Sequence, residues 1–246
     1  MKTGPVEKII GREIGGDSDK YAVVAMGLAS LIGKMEGIET LDRGQQIGVL
    51  TIVGSMRVFD DSFDNVSGED ATSNGREILS FLDGKSDGSL LEPSLKRALE
   101  MAAENLNPEA LDAFRDLIKA QIHSVSQKDK TIGVDSISAI TKNKGGQTAL
   151  MLALEVSPEM NSRKRDCYFE LGYLMQLVDD FADKEIDQRD GIVTLAHSVV
   201  PEGMITNIRQ QNSIVRKRFE KNYETHQLVD LFRYIDKLLA RIGILK

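Results

Sequence analysis

The chain has 246 residues, of which 41% are hydrophobic and 28% charged, so it fills a hydrophobic core and is not disordered. Its net charge of −7 argues against a broad nucleic-acid surface, and its single cysteine, Cys167, excludes an intrachain disulfide framework. The longest apolar run, residues 21–33, is too short to span a bilayer and does not resemble a signal peptide. We therefore expect a cytoplasmic protein with no transmembrane segment and no nucleic-acid partner.

Hydrophobic residues recur with a helical period, and no segment alternates convincingly with a period of two, which predicts an all-α fold. We expect a single domain over residues 1–246, a bundle of about ten helices, with residues 1–19 partly loose. A polar loop is predicted over residues 65–76, leading into a short helix that ends near residue 83. The other predicted helices cover residues 21–35, 43–64, 91–106, 108–127, 135–156, 161–187, 204–222 and 226–243.

Two of these helices have unusual sequences. The segment Tyr21–Met35 is apolar nearly all round, which is typical of a helix buried on most sides. The helix over residues 135–156 contains the pair Gly145-Gly146. Each glycine costs about 1 kcal/mol relative to alanine in a helix interior, so the pair indicates either a kink or a close approach.

The most informative stretch is Gln176–Asp187. Asp179, Asp183 and Asp187 are spaced i, i+4, i+8, so on one helix their side chains lie along one face, with Gln176 one turn earlier. Like charges at this spacing destabilise a helix by about 0.2–0.5 kcal/mol per pair. The stretch therefore predicts a bound divalent cation.

A second acidic cluster, Asp60, Asp61 and Asp64, lies at the C-terminal end of a predicted helix. The helix macrodipole disfavours carboxylates there by about 0.3–1 kcal/mol each, so local stability does not explain them. An acidic helix end facing solvent remains an alternative for this cluster alone. Together, the two clusters predict opposite walls of one cavity that binds Mg²⁺ and a diphosphate, because Mg²⁺ is often shared between carboxylates and substrate phosphates.

Other metal sites fit the sequence less well. An EF-hand loop beginning at Asp60 would need glycine and glutamate where the chain has Asn65 and Ala71. A carboxylate-bridged di-iron bundle needs Glu-x-x-His, and none of the three histidines has glutamate at that spacing. No phosphate-binding glycine loop appears.

The two motifs resemble those of the class I isoprenoid synthases. Asp60-Asp61-x-x-Asp64 resembles their first aspartate-rich motif, and Gln176-x-x-Asp179-Asp180-x-x-Asp183 resembles the second motif of trans-prenyl diphosphate synthases. The second stretch is also similar to a loose cyclase metal motif that includes Asp187. Gly145-Gly146-Gln147-Thr148 is a third, weaker similarity. The resemblance implies a bundle around a deep apolar pocket, three Mg²⁺ ions, an allylic prenyl diphosphate and a possible homodimer.

The resemblance also implies roles for individual residues. The catalytic carboxylates would be Asp60, Asp61, Asp64, Asp179, Asp180 and Asp183, and the metal ligands Asp60, Asp61, Asp64, Asp179, Asp183 and Asp187. Substrate contacts would come from Arg57, Lys144, Gln147, Gln176, Phe169, Tyr173, Val53 and Met56. Lys142 is an alternative to Lys144 as the cation, and the two aromatic residues also suit an ordinary core.

Chain-elongating members of that family carry a Gly-Gly-Lys-Arg-type segment before the first motif and an Arg-Arg pair after it. Here the corresponding positions hold Asp42-Arg43-Gly44 and a lone Arg76. The prediction is therefore an enzyme that ionises one prenyl diphosphate, releases diphosphate and cyclises or couples the carbocation. A chain-elongating prenyltransferase that uses isopentenyl diphosphate, and a non-catalytic helical subunit of the same fold, are the alternatives.

Overall fold

The computed structural model describes residues 18–64 and 68–245, so most of the predicted loose N-terminal segment lies outside the described residues. The side chains of residues 18–21, 57, 60, 61, 64, 68 and 69 also lie outside the description. Across the described ranges every regular element is a helix and no strand occurs, which confirms the all-α prediction. None of the described helices combines the length and the apolar character needed to cross a membrane.

The helices are labelled in chain order. They are α1 Ser18–Met35, α2 Arg43–Asp64, α3 Gly68–Leu82, α4 Pro93–Asn105, α5 Pro108–Ser124, α6 Val134–Val156, α7 Ser162–Ala182, α8 Lys184–Asp190, α9 Leu195–Ser198, α10 Pro201–Asn222 and α11 Thr225–Arg241. A 3₁₀ turn, Val125–Lys128, follows α5.

The loop predicted over residues 65–76 is wrong for most of its length, because α3 begins at Gly68. Ala71, Gly75 and Ile78 are buried and lie on one face at helical spacing. Gly75 packs so closely that an added Cβ would lie 2.2 Å from Cγ1 of Ile122. Two of these three buried residues are small, so the buried face of α3 gives only a weak hydrophobic pattern in a polar sequence.

Helix α1 is less buried than its sequence predicts. Val23 and Val24 in its N-terminal half are 72% and 55% exposed, whereas Ala29, Ile32 and Met35 are buried. The helix packs against α2. The expectation of a helix buried on most sides therefore holds only for the C-terminal half, because apolar composition does not identify the face that has a neighbour.

The chain forms two compact units, residues 1–122 with 151–159 and residues 123–150 with 160–246. In the first unit, α2 packs along α4, and the ring of Phe59 meets that of Phe114 edge-on at 4.9 Å. In the second unit, α10 packs along α7. Aromatic side chains join these two helices, because the ring of Tyr168 meets that of Phe219 edge-on at 5.4 Å.

A buried carboxyl group, Glu155, lies within the first unit and is only 4% exposed. Its Oε2 accepts hydrogen bonds from the backbone N–H of Asn107 (3.0 Å) and from Asn107 Nδ2 (3.1 Å). Its side chain covers Gly48, where an added Cβ would lie 1.9 Å from Glu155 Oε1. Burial, opposed by the Asn107 bond and aided by the charge of Asp42, raises the pKa of Glu155 to about 7.

This raised pKa predicts that stability falls as the pH rises. The ordinary value is 4.5, so between pH 4.5 and 7 the folded state binds more protons at Glu155 than the unfolded state does. Between pH 5 and pH 8, we expect the free energy of unfolding of the wild type to fall by on the order of 2 kcal/mol relative to that of Glu155→Gln. Urea unfolding of both proteins at the two pH values measures these free energies. The prediction would be contradicted if the difference between the two proteins were the same at pH 5 and pH 8.

Candidate functional site

The stretch Gln176–Asp187 was predicted to lie on one continuous helix, and this prediction is wrong. Helix α7 ends at Ala182, and α8 begins at Lys184. Asp183 joins them with φ −97° and ψ 11°, and its N–H donates to Asp179 O at 2.8 Å. Aspartate has a low helix propensity in a helix interior, which is consistent with a break here.

The break moves Asp187 away from the predicted straight stripe, yet the carboxylates still share one electrostatic environment. Burial, followed by the charges of Asp180, Asp183 and Asp179, raises the pKa of Asp187 to about 7 against the opposing charge of Lys144. The charges of the other three carboxylates of the second motif, and the charge of Lys144, therefore act on Asp187.

Asp180 is buried and points toward α6. Its carboxylate accepts hydrogen bonds from Gln176 Nε2 at 3.0 Å and from Thr141 Oγ1 at 3.1 Å. Burial raises the pKa of Asp180 in spite of these two bonds. Sequence analysis missed Thr141, although it lies one helical turn before Gly145 and so belongs to the same face of α6.

The glycine pair marks a close approach of α6 and α7, since α6 runs unbroken from Val134 to Val156. A Cβ added at Gly172 would lie 2.1 Å from Gly145 O and 2.7 Å from Ala149 Cβ. A Cβ added at Gly145 would lie 2.4 Å from Gly172 O. This contact fixes the distance between the two backbones that carry Thr141 and Asp180.

Of the two lysines considered as the site's cation, Lys142 is engaged elsewhere. Its Nζ lies 3.3 Å from Glu170 Oε1 and 5.6 Å from the ring centroid of Tyr173. Lys144, in contrast, influences both Asp180 and Asp187. These charge effects on Asp180 and Asp187 therefore favour Lys144 as the cation of the site.

Glu170 is the centre of a buried polar network that sequence analysis missed. Gln211 Nε2 donates to Glu170 Oε2 at 2.7 Å and to Glu170 O at 3.0 Å, which ties α10 to α7. Arg218 Nη2 approaches Glu170 Oε1 at 3.6 Å. No local spacing could have found this network, because its members belong to different helices far apart in the chain.

The remaining predicted residues of the second unit are half-buried. Phe169 packs against Gly146, where an added Cβ would lie 2.5 Å from Phe169 Cε2. Tyr173 and Gln176 lie further along α7. Gln147 Oε1 is buried, and no hydrogen-bond partner for it occurs in the described part of the chain.

The predicted residues of the first unit lie on α2. Val53 and Met56 are half-buried, as expected of side chains that line an apolar surface. The side chains of four predicted residues lie outside the described residues: Arg57, Asp60, Asp61 and Asp64. Their roles, and the pairing of the two motifs across one cavity, stay predictions.

A Mg²⁺ site at the carboxylates of the α7–α8 junction stays a prediction. Among the side chains that the structure describes, no three His, Cys, Asp or Glu residues are already gathered to hold a metal. Mg²⁺ usually takes only one or two protein carboxylates, with waters and substrate phosphates completing its shell. Asp179, which is exposed, and Asp183, which is half-buried, suit that mode of binding.

Comparison of the chain with protein-family models, with curated proteins and with solved structures gives no match. Function is therefore inferred from the motifs and from the described residues.

Proposed function

We propose that the protein is a Mg²⁺-dependent class I isoprenoid synthase. It would ionise an allylic prenyl diphosphate, release diphosphate, and cyclise or couple the carbocation. The observation that supports the proposal is electrostatic: burial, and then the charges of Asp180, Asp183 and Asp179, raise the pKa of Asp187 to about 7. A bound cation relieves the repulsion among these carboxylates, so the cluster has the electrostatics of a metal site.

The carboxylates differ in their expected roles. Asp180 is held inward by Thr141 and Gln176, so it supports the site from the α6 side. Asp179, Asp183 and Asp187 would hold metal, together with the first motif Asp60, Asp61 and Asp64. When bound, Mg²⁺ supplies charge stabilisation to the departing diphosphate.

The other residues proposed for the site bind and orient the substrate. Lys144 places a positive charge beside the acidic cluster, where it can contact diphosphate. The rings of Phe169 and Tyr173, with the side chains of Val53 and Met56, would line the hydrocarbon site. Aromatic faces stabilise positive charge, and apolar walls keep water from the carbocation. We propose that this enzyme is cytoplasmic and acts as a homodimer.

Diphosphate release tests the proposal directly. The protein is incubated with Mg²⁺ and, separately, with geranyl, farnesyl and geranylgeranyl diphosphate, and free diphosphate is measured. We expect release with at least one chain length, and its loss when a chelator removes the metal. Absence of release with all three substrates would overturn the enzyme proposal and leave the non-catalytic subunit.

Adding isopentenyl diphosphate to the same reactions separates cyclisation or coupling from elongation. We expect no longer prenyl diphosphates, because the basic segments of the elongating enzymes are missing on both sides of the first motif. Products that grow by whole isoprene units would instead assign the protein to the elongating prenyltransferases.

A further inference from the structure

A single histidine connects α9 to the first residue of α8. His197 Nε2 lies 2.8 Å from the backbone carbonyl oxygen of Lys184, the residue directly after Asp183. A carbonyl oxygen only accepts hydrogen bonds, so Nε2 carries the hydrogen and donates it. The imidazole therefore holds the backbone at the point where α8 begins.

The other ring nitrogen fixes the orientation of this imidazole. His197 Nδ1 accepts a hydrogen bond from the backbone N–H of Thr194 at 3.2 Å. Thr194 is buried and immediately precedes α9. With both nitrogens engaged, the ring has one favoured orientation and one favoured tautomer.

The segment that carries Thr194 is itself held in place. Gln127 is buried, and its side-chain Nε2 donates to Val193 O at 3.1 Å. The backbone carbonyl oxygen of Gln127 accepts from Val193 N–H at 2.8 Å. The N–H of Ile192 donates to Asp187 O at 2.8 Å. Directional hydrogen bonds thus lead from the 3₁₀ turn, through residues 192–197, to both ends of the segment Lys184–Asp187.

Helix α8 needs such external support. It contains seven residues, and helices this short do not persist on their own hydrogen bonds. Asp183 before it makes no side-chain capping hydrogen bond. The orientation of Asp183 and Asp187 relative to α7 is therefore set by contacts from outside α8, and the bond from His197 is the one that reaches its first residue.

We propose that His197 is a positioning residue for the metal site. By holding the carbonyl of Lys184, it fixes the α7–α8 junction so that Asp183 and Asp187 are presented together with Asp179. This inference rests on the proposed function. Groups that orient metal ligands from behind typically change metal affinity by about 10–100-fold when they are removed.

Two substitutions at position 197 separate this role from a simple helix cap. In His197→Asn, the side-chain oxygen can replace Nδ1 and accept from Thr194, but the side chain is too short to reach Lys184 O. In His197→Gln, the amide nitrogen can replace Nε2 and donate to Lys184 O, whereas the bond from Thr194 is lost. His226→Asn, at an exposed histidine on α11, is the matched control.

The measurement is Mn²⁺ affinity in the presence of inorganic diphosphate, followed by electron paramagnetic resonance of free Mn²⁺ on purified, folded protein. We expect affinity about 10-fold weaker in His197→Asn and close to wild type in His197→Gln and His226→Asn. Wild-type affinity in His197→Asn, or equal weakening in both variants at position 197, would overturn the positioning role while leaving the proposed function intact. No Mn²⁺ binding by wild type would overturn both.

Discussion

Replacing Asp179 with asparagine is expected to lower diphosphate release by at least about 100-fold while the helical fold is retained. Asp179 is exposed at the last turn of α7, and its charge adds to the repulsion felt by Asp187. Removing that charge relieves repulsion in the metal-free protein, so the unfolding free energy should stay constant or rise. Initial rates with the best prenyl diphosphate and excess Mg²⁺ measure the first effect, and urea unfolding measures the second.

Glu185→Gln is the matched control for this prediction, because Glu185 is an exposed carboxylate on α8 that has no predicted role in the site. It should release diphosphate at the wild-type rate. Asp60→Ala, in the first motif, should behave like the Asp179 variant. Unfolding of either aspartate variant would instead assign these groups a structural role.

Gly172→Ala is expected to destabilise the protein by at least about 3 kcal/mol. The new Cβ would lie 2.1 Å from the backbone oxygen of Gly145, which cannot turn away as a side chain does. For a chain of this length, such a loss lowers Tm by about 10 °C. Thermal unfolding followed by circular dichroism measures the change.

Gly27→Ala provides the comparison within the same protein. Gly27 also lies inside a helix, but no atom lies within 4 Å of a Cβ added there. Alanine should stabilise α1 by about 0.5–1 kcal/mol, because it loses less backbone entropy than glycine on folding. If Gly172→Ala proved as stable as Gly27→Ala, the close contact of α6 with α7 would be disproved.

The sequence predicts the helices well where one face is clearly hydrophobic, as in α2 and α11, and poorly where tertiary contacts decide the boundary. The N-terminal part of helix α3 was predicted as a loop because its buried face includes Ala71 and Gly75, which carry little hydrophobicity. The break at Asp183 was missed because carboxylate spacing is the same whether or not a helix continues through it. In both cases, where the helix begins or ends depends on interactions that local periodicity does not encode.

The candidate site likewise includes residues that the sequence predicts and residues that only the folded structure identifies. Spacing identified Asp179, Asp180, Asp183 and Asp187 as a group, and the structure places their charges in one environment. Thr141 and His197 were not predicted as site residues, since each acts through one hydrogen bond to a residue far along the chain. Polar partners of this kind have no periodic signature, so only the folded chain reveals them.

The division of α6 between the two compact units constrains the order in which the protein assembles. The first unit needs residues 151–159, including Glu155, which binds Asn107 and covers Gly48. The ribosome makes that segment only after residues 123–150, which belong to the other unit. An N-terminal portion emerging alone therefore lacks part of its own core. Folding of the first unit waits until more than half of the chain has been synthesised, and the two units are not independent modules that recombination could exchange.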